Sequence, residues 1–406
     1  MLKQTAVWVS AGSVLGALWG CGSTSDDTPD ENAPPVIAGL SADRDGILAL
    51  AGTAQLAVDA SDPDGDALTF AWNVTVGAVT PDADPITAVL AAPPDRGLAT
   101  VTVTVTDGNG GEATESIDIG VIGWVTPESA AGLTPGLAFN AVSFADAENG
   151  VIVGGDEILN VPAIYRYSNG LWADETVGTA GHMTAVAAVA PDNMWTAGGG
   201  GLAFHFDGSE WAQFTVPGGC VHGIDFLTPN DIWVTPAEGQ PYMRRYTGGM
   251  VNEWATYTSP SSSGMNGVSI VSEDDGWAVG NNGTAHRFDG TDWQVVDTGV
   301  TASLTQVDMI TAEDGWIVGV ASTMLHWDGT AWSPVAIPVA ADLHGVFAVA
   351  PDDVWAVGSL GTILHWDGVV WTQLPSPVTT TLTGVHFVSA SDGWIAGFDS
   401  TILHLE

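Results

Sequence analysis

Residues Leu343–Pro377 read LHGVFAVAPDDVWAVGSLGTILHWDGVVWTQLPSP. Short runs of β-branched, aromatic and small residues (HGVFAVA, VWAVG, TILHW, VWTQL) are broken by Pro-Asp-Asp, Gly-Ser-Leu-Gly and Asp-Gly, the residues of tight turns. A unit of about 40 residues that holds four short strands is the content of one propeller blade.

The unit recurs. A tryptophan stands in its second strand at Trp195, Trp233, Trp277, Trp316, Trp355 and Trp394, with Val151 in the first copy. Another stands in the fourth strand at Trp172, Trp211, Trp254, Trp293, Trp332 and Trp371, and most spacings are 39 residues. A fixed period of this length marks an array or a propeller. Asp-Gly pairs at Asp207-Gly208, Asp289-Gly290, Asp328-Gly329 and Asp367-Gly368 are expected to turn the third strand into the fourth as two-residue hairpins. The last copy stops at Glu406, after its third strand, whereas Gly123–Pro127 (GWVTP) reads as a fourth strand without the other three. The strand around Trp124 should therefore complete the last blade, so that the ring has no open edge. The fold class that follows is all-β: an immunoglobulin-like sandwich, then a seven-bladed β-propeller over residues 123–406.

With DGWAVG at 275–280 and GTILH at 361–365, the repeat resembles sialidase-like (Asp-box, or BNR) propellers and, more closely, photosystem II assembly-factor-like repeats. The resemblance covers the propeller and implies a fold, since propellers host enzymes, binders and scaffolds alike. Sialidase activity does not carry over, because it needs an arginine triad. Arg166, Arg245 and Arg287 share one repeat position and leave only Arg244.

Working outward, residues 36–122 alternate with period two (AQLAVDAS, LTFAWNV, ATVTVTVTDG), the pattern of an antiparallel sandwich. ASDPDGDALTFAW and VTVTDGNGG resemble bacterial polycystic-kidney-disease-type and cadherin-like immunoglobulin domains, which would make Trp72 the buried central tryptophan. Residues 1–20 have one lysine, an apolar core and small residues, as a secretory signal does. They end in Leu18-Trp19-Gly20-Cys21, which resembles a bacterial lipoprotein box with Cys21 as the lipidated residue. Residues 21–35 are an acidic, Ser/Thr/Pro-rich tether without apolar periodicity. The expected location is the cell envelope, at the outer membrane or cell surface, with the membrane reached through the lipid alone.

The formal net charge is −41, from 48 acidic and 7 basic residues. Nucleic-acid binding depends on Lys and Arg at phosphates, so this composition argues against it.

Candidate sites follow from where the copies agree and where they differ. His205, His326, His365 and His404 share one position with Arg166, Arg245 and Arg287. An Asp or Asn precedes the strand-two residue of each blade, at Asn149, Asn193, Asp231, Asp275, Asp314, Asp353 and Asp392. The hairpin between strands two and three should bring the two positions together as a blade staple, because a repeated residue serves what is repeated. At the start of the inner strand stand Asn140, Thr184, His222, Asn266, Thr305, His344 and Thr383. These polar groups should ring a channel mouth, as a ligand site or as a hydrated lining. Blade three is the most divergent copy, and Cys220, Glu238, Tyr242 and Arg244 are its candidate surface. Cys220, His222 and His344 suggest a metal site that lacks a fourth ligand. In the sandwich, Asp62, Asp64, Asp66 and Asp107, with Asp59 and Asn109 nearby, suit Ca²⁺ or are simply turn residues. No other cofactor is indicated.

The leading functional reading is a monomeric, lipid-anchored binding or scaffold protein whose propeller recognises an envelope protein or glycan. The alternatives are a polysaccharide hydrolase or lyase, which needs two carboxylates facing one cleft, and an assembly factor for an envelope complex.

Overall fold

The computed structural model describes residues 32–44, 46–49, 52–156, 159–178, 181–236, 242–248, 253–261 and 263–406. The described residues divide between Gly123 and Trp124 into two compact units. Among them no helix is long and apolar enough to cross a membrane. Cys21 lies outside the described residues.

The first unit is a sandwich of β1 (Val36–Ala42), β2 (Gly46–Leu48), β3 (Thr53–Ser61), β4 (Thr69–Val74), β5 (Ala78–Pro81), β6 (Thr87–Ala91), β7 (Gly97–Thr106) and β8 (Glu112–Ile122). Its sheets have the orders β1-β3-β6-β5 and β2-β8-β7-β4. In β7, Ala99, Val101, Val103 and Val105 are fully buried while the alternating threonines face outward. Trp72 is only partly buried, contrary to expectation. It stands on the edge strand β4, packs against the core from one side, and donates its indole N–H to the Pro85 carbonyl (3.1 Å).

The second unit is seven four-stranded antiparallel sheets. The inner strands are Ala138–Asp146, Met183–Ala190, Val221–Thr228, Met265–Ser272, Leu304–Thr311, Leu343–Ala350 and Leu382–Ser389. Strand β9 (Trp124–Val125) pairs with Thr401–Leu405, in register Leu405↔Trp124 and His404↔Val125, and completes the seventh blade.

The two tryptophan series meet across blade junctions. The strand-two indole of one blade packs edge-to-face on the strand-four indole of the next: Trp195–Trp254, Trp233–Trp293, Trp277–Trp332, Trp316–Trp371 and Trp394–Trp172, with centroids 5.1–6.5 Å apart. The ring-closing Trp124 supplies the partner of Trp355 at 5.5 Å. Edge-to-face pairs gain from the ring quadrupoles beyond the area they bury. Between blades one and two, Val151 replaces the indole. There Arg166 lies over Phe206 and pairs with Glu175 (2.8 Å), whose other oxygen accepts the Trp211 N–H (3.0 Å).

The staple forms in six blades. His205 donates to Asn193 (3.0 Å), Arg245 to Asp231 (2.7 Å), Arg287 to Asp275 (2.8 Å), His326 to Asp314 (2.8 Å), His365 to Asp353 (3.0 Å) and His404 to Asp392 (3.0 Å). Each base also lies against the strand-two indole opposite it; for the histidines the centroids are 4.0–4.4 Å apart. Blade one departs from the expectation. Without an indole to stack on, Arg166 turns to Glu175, and Asn149 instead donates to Asp146 (2.8 Å).

The Asp-Gly turns also differ from expectation. Phe206 pairs with Trp211, Phe288 with Trp293, Trp327 with Trp332 and Trp366 with Trp371, so each loop has four residues. Only the glycines, such as Gly368 at φ 89°, have positive φ. The aspartate acts through its side chain: Asp367 accepts the N–H groups of Val369 (2.9 Å) and Val370 (2.8 Å).

Candidate functional site at the channel mouth

Every inner strand slips register at one residue near its start, and that residue is the polar one singled out from the repeats. A bulge leaves its extra residue unpaired and re-aims the side chain. Asn140, Thr184, His222, Asn266, Thr305, His344 and Thr383 are thereby brought to line one channel cavity of about 190 Å³. Above it opens a funnel of about 470 Å³, to which His182, Thr381 and Phe398 also contribute. Among the described residues no carboxylate, lysine or arginine lines either space.

Five of the seven form a belt between blades. Asn140 donates to the Met183 carbonyl (2.8 Å), Asn266 to Leu304 (2.7 Å), Thr305 to Leu343 (2.8 Å), Thr383 to Phe139 (2.7 Å) and Thr184 to Val221. Each acceptor belongs to the next blade, so these residues close the ring as well as line it. The two histidines make other contacts: His222 Nδ1 lies 3.4 Å from Asn266 Oδ1, and His344 Nε2 lies 3.4 Å from Ser359 Oγ. Burial lowers the pKa of His344 and favours its neutral form.

A second belt lies three residues further along the inner strands. Ser143 accepts the Ala188 N–H (3.0 Å), Asp225 that of Ile270 (2.6 Å), Ser269 that of Met309 (3.1 Å) and Asp308 that of Ala348 (2.7 Å). Asp225 and Asp308 are enclosed by the strands, and desolvation pushes each up to about 7; for Asp308 the charge of Asp225 adds to it. On the same level His386 packs on Phe347 (4.7 Å), and burial lowers it to about 4. This level escaped the sequence reading. Its residues (Ser, Ala, Asp, Ser, Asp, Phe, His) share no chemistry, and their common role shows only when the next blade is in place.

Of the blade-three candidates, Cys220, Tyr242 and Arg244 do not join the cavity. Arg244 lies over the Tyr242 ring (4.1 Å), donates to the Pro217 carbonyl (3.1 Å) and contacts Thr256 Oγ1. Cys220 is exposed and accepts the Gly200 N–H (3.3 Å). Glu238 lies outside the described residues.

In the sandwich, the loops holding Asp62, Asp64, Asp66 and Asp107 come together, and N–H groups bond each carboxylate, although Asp62 Oδ2 is buried without a hydrogen-bond partner. Asp62 accepts from Asp64 N (2.8 Å) and Asp66 N (3.1 Å), Asp64 from Ala33 N (2.6 Å), and Asp66 from Asn109 Nδ2 (2.8 Å). Asp107 accepts from Asn32 (2.7 Å), Asn109 N (2.7 Å) and Gly111 N (2.9 Å), and these bonds, the Asn32 one foremost, lower its pKa. Among the described residues no three His, Cys, Asp or Glu side chains are placed to hold a metal ion, either here or at Cys220, His222 and His344.

Comparison with known proteins separates the two units. Residues 32–120 match the bacterial Ig domain family. No curated protein matches the chain. Among solved structures, YCF48 bound to D1 peptide is similar at 16% identity over 71% of this chain and 97% of that one, with a TM-score of 0.57. YCF48 from Cyanidioschyzon merolae is similar at 15% identity over 70% and 98%, with a TM-score of 0.55. The WD40 β-propeller domain of Doa1 is similar at 11% identity over 70% and 96%, with a TM-score of 0.57. At these identities the likeness is one of fold.

Proposed function

We propose that the chain is a surface-exposed binding protein whose propeller holds a segment of a protein partner at the channel mouth. The carrying observation is the funnel itself, in which, among the described residues, His222 and His344 are the ring members that do not donate to a backbone carbonyl of the next blade's inner strand. The propeller of YCF48, of similar fold, has been solved with a bound peptide, which supports a partner-binding role over catalysis. So does the cavity lining, which among the described residues holds no carboxylate pair of the kind polysaccharide cleavage needs. A bacterial Ig domain fits a protein of the cell exterior. The LWGC sequence at 18–21 supports anchoring through a lipid on Cys21.

A displayed random-peptide library and a glycan array, each probed with the whole chain, test this reading. We expect peptide ligands whose binding is lost in the His222→Ala/His344→Ala variant. Binding should survive Val369→Ser/Val370→Ser, at exposed positions in a strand three–four turn at the other end of the blades. Binding that survives the mouth substitutions would sink the site; glycan binding alone would favour a carbohydrate ligand.

A further inference from the structure

The chemistry of the mouth follows from which hydrogen-bonding groups are already committed, and this inference rests on the reading of the mouth as a partner site. Thr184, Thr305 and Thr383 have one hydroxyl proton each, directed at backbone carbonyls of their own and the next blade. Asn266 directs its amide nitrogen at the Leu304 carbonyl (2.7 Å) and at Asn281 Oδ1 (3.2 Å). A hydroxyl or amide whose protons are engaged offers its remaining oxygen lone pairs. His344, neutral through burial, offers one ring nitrogen as an acceptor. Thr184, Thr305, Thr383 and Asn266 therefore turn acceptors to the lumen, and the ring's remaining donors are one amide proton of Asn140 and the imidazole N–H groups.

Charge points the same way. Among the described residues no lysine or arginine lines the cavity. Asp225 and Asp308, charged once pH rises above about 7, lie three residues further along their strands, roughly 10 Å below the ring at the rise of a β-strand. The formal net charge is −41. A narrow channel with low-dielectric walls focuses such a field.

We propose that the channel mouth takes a cationic side chain, the ammonium of a lysine or the guanidinium of an arginine, carried by an extended segment of the partner. An ammonium brings three donors and a guanidinium five, with no acceptor between them, which complements this ring. A lumen of about 190 Å³ admits an aliphatic stem and excludes a folded element. At the same end of the blades, Leu360 and Phe398 are 78% and 39% exposed and offer apolar surface to the residues flanking the cation.

The test titrates the whole chain with acetyl-Gly-Gly-X-Gly-Gly-amide peptides, X being Lys, Arg, Gln or Glu. Imidazole NMR signals are followed, with His222 and His344 assigned through their Gln variants. The Lys and Arg peptides should move both signals, with at least tenfold tighter apparent Kd than the Gln peptide, and the Glu peptide should move neither. Binding should weaken as salt screens the field. Gln306→Glu, at a lining position outside the belt, should tighten Lys-peptide binding severalfold. Thr305→Lys should abolish it, with the thermal melt reporting whether that variant folds. Equal shifts with the Gln or Glu peptide would overturn the cation and leave the mouth as a binding site. No shift with any of the four would overturn the inference, while the library selection judges the mouth separately.

Discussion

At the scale of the residue, the staple shows how one side chain works twice. His365 bonds Asp353 and lies against Trp355, which itself donates its indole N–H to Asp353 (2.8 Å). Removing a buried hydrogen-bonded partner costs about 1–3 kcal/mol. His365→Ala should lower stability in denaturant melts by that order and leave peptide affinity at the mouth unchanged; altered binding at unchanged stability would make the staple a site. His286 is the opposite case. It is fully buried, its Nε2 has no partner, and desolvation lowers its pKa to about 4. Three other blades carry leucine at the corresponding position, Leu325, Leu364 and Leu403. His286→Leu should raise stability by about 1–2 kcal/mol, in line with consensus substitutions at strained positions. A lower melting temperature would show that the Ser259 contact (3.4 Å) matters more than desolvation.

The blade is the element in which sequence and structure agree best. Its turns show where a sequence pattern can suggest the wrong geometry. Asp-Gly signals a tight turn, but two-residue and four-residue loops both use it, and the register of the flanking strands decides between them. The turn between strands two and three is constrained by its neighbour. Gly361 has φ 69°, and a Cβ there would stand 2.0 Å from the Val378 carbonyl oxygen. Gly361→Ala should therefore cost more than the about 1 kcal/mol of a simple left-handed strain, read as a drop in the denaturation midpoint. The closing strand is an element with one dominant side chain. Trp124 is 7% exposed and packs on Trp355 and Phe387. Trp124→Ala should cost about 3–5 kcal/mol and expose the edge of Thr401–Leu405, visible as faster amide exchange there and as aggregation. Unchanged exchange in that strand would show that closure does not depend on the indole.

At the scale of the whole molecule, the belts make ring stability depend on pH. Between about pH 4 and 7, Asp225 and Asp308 hold protons in the folded chain that the unfolded chain has released. Their stabilising contribution is full below pH 4 and is lost as pH rises through 7. His286 and His386 act in the other direction, staying neutral when folded down to about 4, so stability falls as pH drops from 6.5 toward 4. Asp308→Asn should therefore gain stability relative to the parent chain as pH rises from 4.5 to 8; parallel curves for the two would remove Asp308 from this account.

The sequence by itself determined the period, the four strands of each blade, the closing role of Trp124, the pairing of His365 with Asp353 and its equivalents, and the ring of polar residues at the channel. All of these are local patterns or repeats of them, visible because the same residue types return at the same spacing. Tertiary structure decided what those positions do to one another. The two tryptophan series are partners across junctions; blade one exchanges indole packing for Arg166–Glu175; Asn140, Thr184, Asn266, Thr305 and Thr383 donate to backbone carbonyls of the neighbouring blade, whereas His222 meets the Asn266 side chain there and His344 turns to Ser359 of its own blade. The reason is physical. A side chain's donors can be counted from the sequence, but whether they are free depends on a carbonyl tens of residues away that only the closed ring brings within 3 Å.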